Sequence, residues 1–142
     1  MNRIHMVTKR LAFFAAAVLL ASCAMMGDRA VQVRLSGDEE VPPVRTSASG
    51  TGAVTVGDDR SVTVKVTTQG VAGVAAHIHE GAAGANGPVI VPLTKTADNV
   101  WSSAAGAKLT ESQYAAYKAG RTYLNVHSAA HKGGEIRGQI RP

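Results

Sequence analysis

The residues with the most chemical capacity in this chain are three histidines. His77 and His79 stand one residue apart in the run Ala75-Ala-His-Ile-His-Glu80, and His127 closes the run Tyr123-Leu-Asn-Val-His127. On an extended strand alternate side chains leave on the same face, so His77 and His79 project together while Ile78 points the other way. The same alternation places Tyr123, Asn125 and His127 opposite Leu124 and Val126. If the two strands are neighbours, three imidazoles converge. Neutral imidazole suits copper or zinc, and three such donors on a rigid sheet leave one coordination position open. The chain offers no cysteine pair for an iron–sulfur cluster and no acidic cluster for calcium, so copper(II) and zinc are the ions to consider. His131 is a candidate fourth ligand. The alternative is structural: each ring braces a loop or bonds a main-chain carbonyl.

Other polar motifs have plainer readings. Glu135 and Arg137 share a strand face and are expected to pair with charged residues of an adjacent strand, fixing register. Asp38-Glu39-Glu40 reads as a solvated acidic turn, with cation binding as the alternative. Gly81, Gly84, Gly87 and Gly133-Gly134 suit turns and not a phosphate cradle, because no helix follows them in strand–loop–helix order. No Gly-x-Ser-x-Gly elbow occurs, and no catalytic residue is assigned.

These side chains need strands to carry them, and the sequence supplies strands. Period-two runs at 31–35, 53–56 and 61–67 alternate apolar with polar residues, and Gly57-Asp-Asp-Arg60 reads as the turn of a hairpin. Val62, Val64 and Val66 share one face. Further runs at 74–79, 88–93, 99–102, 122–127 and 135–140 bring the expectation to about eight short strands: an all-β, antiparallel Greek-key sandwich or barrel. One helix is predicted over 109–119, where Thr110 and Gln113 have capping-box spacing and Gly120 marks the stop. Leu109, Tyr114 and Tyr117 would pin it across one end of the sheets.

The 142 residues, with a formal net charge of +5, bound the partners. Both phenylalanines, Phe13 and Phe14, fall in an N-terminal apolar run, which leaves Trp101 and three tyrosines for the rest and no stacking platform for nucleic acid. Residues 1–22 combine Arg3, Lys9 and Arg10 with the apolar run 11–21, the pattern of a secretory leader too short to span a bilayer. Three of the positive charges are in that leader, so the remainder carries +2 and no basic patch suited to a phosphate backbone.

Leu20-Ala21-Ser22-Cys23 resembles the bacterial lipobox, which implies lipidation of Cys23 and a membrane anchor without a spanning helix. In lipoproteins generally, a residue other than Asp after that cysteine (here Ala24) implies the outer membrane, facing the periplasm, in a Gram-negative cell. Residues 23–30 read as a tether, and 31–142 as the domain.

Three stretches of that domain resemble the CHRD domain, first named from chordin: Leu35-Ser-Gly-Asp-Glu-Glu-Val-Pro-Pro43; Ala75–Gly84 with Gly87-Pro-Val-Ile-Val-Pro-Leu93; and Tyr123–His127 with Gly133-Gly-Glu-Ile-Arg-Gly-Gln-Ile140. The resemblance implies an immunoglobulin-like or barrel-like β-domain outside the cytoplasm, with no agreed enzymatic activity. A weaker likeness runs to copper/zinc superoxide dismutase, where a His-x-His pair and a later Val-His supply three copper ligands on a Greek-key barrel; His77, His79 and His127 occupy the matching places. The bridging histidine, zinc-site aspartate and disulfide of that family have no counterpart. The expected function is therefore a lipid-anchored envelope protein that binds copper, or alternatively zinc, through His77, His79 and His127. Two other readings stand beside it: a ligand-free interaction module for envelope proteins, and an enzyme similar to superoxide dismutase.

Overall fold

A computed structural model describes residues 29–142. The leader 1–22, the lipidation candidate Cys23 and most of the tether lie outside the described residues. Eight antiparallel strands form a closed barrel: β1 (Val31–Ser36), β2 (Ser49–Val56), β3 (Val62–Gln69), β4 (Gly73–Glu80), β5 (Val89–Ala97), β6 (Val100–Ser103), β7 (Thr122–Ser128) and β8 (Ile136–Ile140). Around the barrel they run β1-β2-β3-β6-β5-β4-β7-β8. Of the two architectures expected, the barrel is the one formed. The β3–β4 and β6–β7 connections each cross over two intervening strands, and every other connection joins neighbours.

The alternation predicts the inward face well. Along β3, Val62, Val64 and Val66 are buried and the residues between them exposed. They meet Val33, Leu35, Val54, Trp101, Leu124, Val126, Ile136 and Ile140 in one core cluster. Burying such side chains, at ~25 cal/mol per Å² of apolar surface, is the main force closing the barrel. The β2–β3 hairpin is in register from Ser49↔Gln69 to Val56↔Val62, and Arg60 takes the left-handed turn conformation at φ 68°. The strand expected from Asn99 starts instead at Val100, because Asn99 has φ 59° and forms the turn between β5 and β6.

Helix α1 (Glu111–Lys118) carries the predicted capping box: Gln113 N–H donates to Thr110 Oγ1 at 3.2 Å and Thr110 N–H to Gln113 Oε1 at 2.8 Å. Leu109 and Tyr117 join the core, and Tyr114 packs against it. No helix among the described residues is long and apolar enough to cross a membrane.

The barrel closes between β1 and β8, which share a single register pair, Ser36↔Arg137, against eight between β2 and β3. Gly138 makes this approach possible, since a side chain there would fall on the Arg34 carbonyl oxygen.

One face departs from simple alternation. Every residue of β7 and β8 is buried, including those pointing out of the barrel. Hydrogen bonds from Gln139 to Gly81 O, Arg137 to Ala82 O, and Asn125 to Glu40 tie the loops over this outer surface. Between barrel and loops lies a second, polar layer, and the histidines are in it.

Candidate metal centre

Strands β4 and β7 pair directly, with His79 opposite Tyr123, His77 opposite Asn125 and Ala75 opposite His127. His127 is thus one pleat along from His77, and small Ala75 leaves room for its ring to lean that way. His77 Nδ1 and His127 Nε2 are 3.0 Å apart. The ligand atoms of His77, His79 and His127 all lie within 4.8 Å of one another, in a group that includes no carboxylate and no thiol. The convergence expected from strand parity is therefore present.

Main-chain carbonyls set two of the three tautomers. His79 Nδ1 is 2.9 Å from Gly87 O, and His127 Nδ1 is 2.9 Å from Lys132 O. A carbonyl oxygen only accepts, so each Nδ1 carries the hydrogen and each Nε2 keeps its lone pair. His79 Nε2 is buried without a hydrogen-bond partner. His77 has no main-chain anchor and is half-buried; its Nδ1–H donates to the His127 Nε2 lone pair.

Packing fixes His79 further. Its ring stacks on Tyr123, centroids 4.9 Å apart and planes within 8°, and the Arg137 guanidinium lies 3.5 Å from the centre of the same phenol ring. Arg137, 1% exposed, donates to Ala82 O, Ala85 O, Asn86 Oδ1 and Gln139 Oε1. Those bonds clamp the loop 81–88 that presents Gly87 O to His79, and Gly87 N–H donates to Tyr123 Oη at 3.2 Å. Gly87 has no room for a side chain, which would overlap the Glu80 carbonyl. His79 and His127 are thus each oriented by a carbonyl outside the trio, the kind of arrangement that holds metal-binding imidazoles in place, while His77 is held only through His127.

The electrostatics favour the neutral form of His77 and His79. Burial, followed by the proximity of His127 and His79, pushes His77 below the usual histidine value. Burial also lowers His79, against the opposing hydrogen bond to Gly87 O and with help from His127 and Arg137. Neutral rings are the form that coordinates a metal.

His131 is in the β7–β8 loop, outside the group of three; its main chain bonds Ser128, and its charge acts on Glu40 and Glu135. Two expectations for acidic residues need correcting. Glu40 is not solvated: it is 5% exposed and accepts from Asn125 Nδ2, with burial raising its carboxyl above the usual range despite that bond and the nearby Arg137. Among the described residues Glu135 and Arg137 form no cross-strand ion pairs; Glu135 accepts from Thr46 Oγ1 at 2.8 Å, while Arg137 holds loop carbonyls. Nothing local in the sequence marks either partnership.

Residues 31–140 match the CHRD domain. The chain belongs to the CHRD domain family. The match spans every strand of the barrel, so the histidine trio lies within the CHRD domain itself. No curated protein matches the chain, and no solved structure does.

Proposed function

We propose that this CHRD domain is a metal-binding module, with copper as its ion and zinc as the alternative, held at a membrane of the cell envelope by lipid on Cys23. The ligands are His77, His79 and His127. One observation carries the reading: His79 Nε2 is buried and unpartnered beside two further imidazoles. Structural bracing accounts for the Nδ1 bonds of His77, His79 and His127, but it leaves His79 Nε2 without a partner. A buried, unsatisfied nitrogen costs about 1–3 kcal/mol, a cost that a metal bond would remove.

The donor spacing supports the same reading. A tetrahedral ion with bonds near 2 Å sets its nitrogens about 3.3 Å apart. His77 and His127 stand at 3.0 Å, and the limit of 4.8 Å over the whole group leaves only a small closing movement. Isothermal titration with copper(II) and zinc tests the site against a His77→Ala/His79→Ala/His127→Ala variant. Stoichiometric binding lost in the variant is expected, and equal weak binding by both proteins overturns the site. For the anchor, Cys23→Ser is expected to move the protein from the membrane fraction to the soluble one.

The second reading, an interaction module without a ligand, draws on Val74 and Val89, the exposed large hydrophobics at 63% and 48%. Two separate valines are a small apolar area, which favours the metal reading.

A further inference from the structure

We propose that the histidine trio takes copper as the monovalent ion in preference to any divalent one. This rests on the metal-binding reading above and specifies the charge state of its ion.

The first argument is charge. The donor group is three imidazoles without a carboxylate or thiolate, so the complex carries the full charge of its metal. His79 is 8% exposed and His127 9%. The cost of transferring an ion from water into such surroundings rises with the square of its charge, so a divalent ion meets about four times the penalty of a monovalent one. The buried Arg137 guanidinium, stacked on the Tyr123 ring that packs against His79, repels a cation there.

The second argument is coordination number. The trio supplies three nitrogens, so zinc would have to draw its fourth ligand from water, and copper(II), which favours a tetragonal set of nitrogen and oxygen donors, would have to draw at least one as well. Asn125, opposite His77, is already bonded to Glu40 and Ile136 O, and Tyr123 Oη, opposite His79, accepts from Gly87 N–H. A filled-shell monovalent copper ion has no ligand-field preference for four donors and is satisfied by three nitrogens in a plane. Two of the rings are fixed through Gly87 O and Lys132 O, while His77 lacks a main-chain anchor and can turn to complete the triangle once its proton has passed from Nδ1 to Nε2 by exchange with solvent, which keeps the ring neutral and frees the Nδ1 lone pair.

The test is a competition titration of the purified full chain. Copper(I) is offered from a chromogenic copper(I) chelator under anaerobic conditions, and zinc(II) and copper(II) from chelators of known affinity. We expect copper(I) to be held at least about 1,000-fold more tightly than zinc(II), a separation of about 4 kcal/mol. Zinc(II) or copper(II) bound as tightly as copper(I) overturns the preference and leaves the metal site standing; failure to bind any of the three removes both. A second variant tests the cause. Val89 is exposed and stands opposite His79 in the β4–β5 register. Val89→Glu places a carboxylate beside the site without disturbing the core, and it is expected to raise zinc(II) affinity relative to copper(I) by about tenfold. An unchanged ratio in a folded variant overturns the charge argument.

Discussion

The ring of His79 lies flat on that of Tyr123, 4.9 Å between centroids, with the Arg137 guanidinium on the phenol. The imidazole is thereby held by three contacts at once: the stack, the Nδ1 bond to Gly87 O and the strand beneath. Tyr123→Leu removes the stack and the bond to Gly87 N–H while leaving all three histidines. Metal affinity is expected to fall about tenfold or more, as for loss of a residue that orients a ligand. Competition titration measures it, with circular dichroism to confirm an unchanged strand content.

Arg137 is the least replaceable side chain of the outer layer. Arg137→Lys keeps the charge but cannot span Ala82 O, Ala85 O and Asn86 Oδ1 from one planar fork. Stability is expected to fall by about 3 kcal/mol, read from urea unfolding, with some loop carbonyls left unpaired. Metal affinity should fall with it, because the clamped loop carries Gly87.

The depressed histidines give the metal-free protein an acid-sensitive limb. A histidine lowered in the folded state binds fewer protons there than in the unfolded chain. Its contribution is therefore complete above the ordinary value of 6.5 and is lost progressively as pH falls below it. Glu40, raised by burial above its ordinary 4.5, acts with the opposite sign: folding gains as pH falls through its elevated value. The histidine part is isolated by difference. Between pH 7 and 5, melting of the native chain should decline more steeply with acid than that of His77→Asn/His79→Asn, with phosphate and acetate buffers giving the same result.

Val64 tests the barrel itself. It is 2% exposed and faces the core between Val62 and Val66. Val64→Asp buries a carboxylate among apolar side chains at a cost on the order of 4 kcal/mol or more, enough to unfold a small domain. Loss of the cooperative melt is expected; an unaltered far-ultraviolet spectrum and melting curve would show the strand facing to be wrong.

Strand identity and facing are legible in the sequence because alternation is a local property. The pairs Val62/Val64/Val66 and His77/His79 could be placed on their faces without knowing any neighbour. The meeting of His77 with His127 depends on β4 lying beside β7, a long-range pairing that alternation permits but does not specify. The outer layer was beyond reach for a further reason. Glu40 and Asn125 are 85 residues apart, and Thr46 and Glu135 are 89 apart. Loops over 37–48, 81–88 and 129–135 have no periodicity, so nothing in them announces that they fold over a strand face. An acidic run looks solvated until such a cover is in place, and an arginine two residues from a glutamate looks like one half of an ion pair.

The narrow seam between β1 and β8 has a dynamic consequence. Arg137 is both the β8 member of the register pair Ser36↔Arg137 and the clamp over the loop that steers His79. Parting of these two strands would therefore slacken the imidazole cage in the same event. Amide protons on either side of the seam and those of the 81–88 loop should exchange with deuterium at a shared rate, slower with metal added, so that opening of this seam would set the pace at which a bound ion could leave.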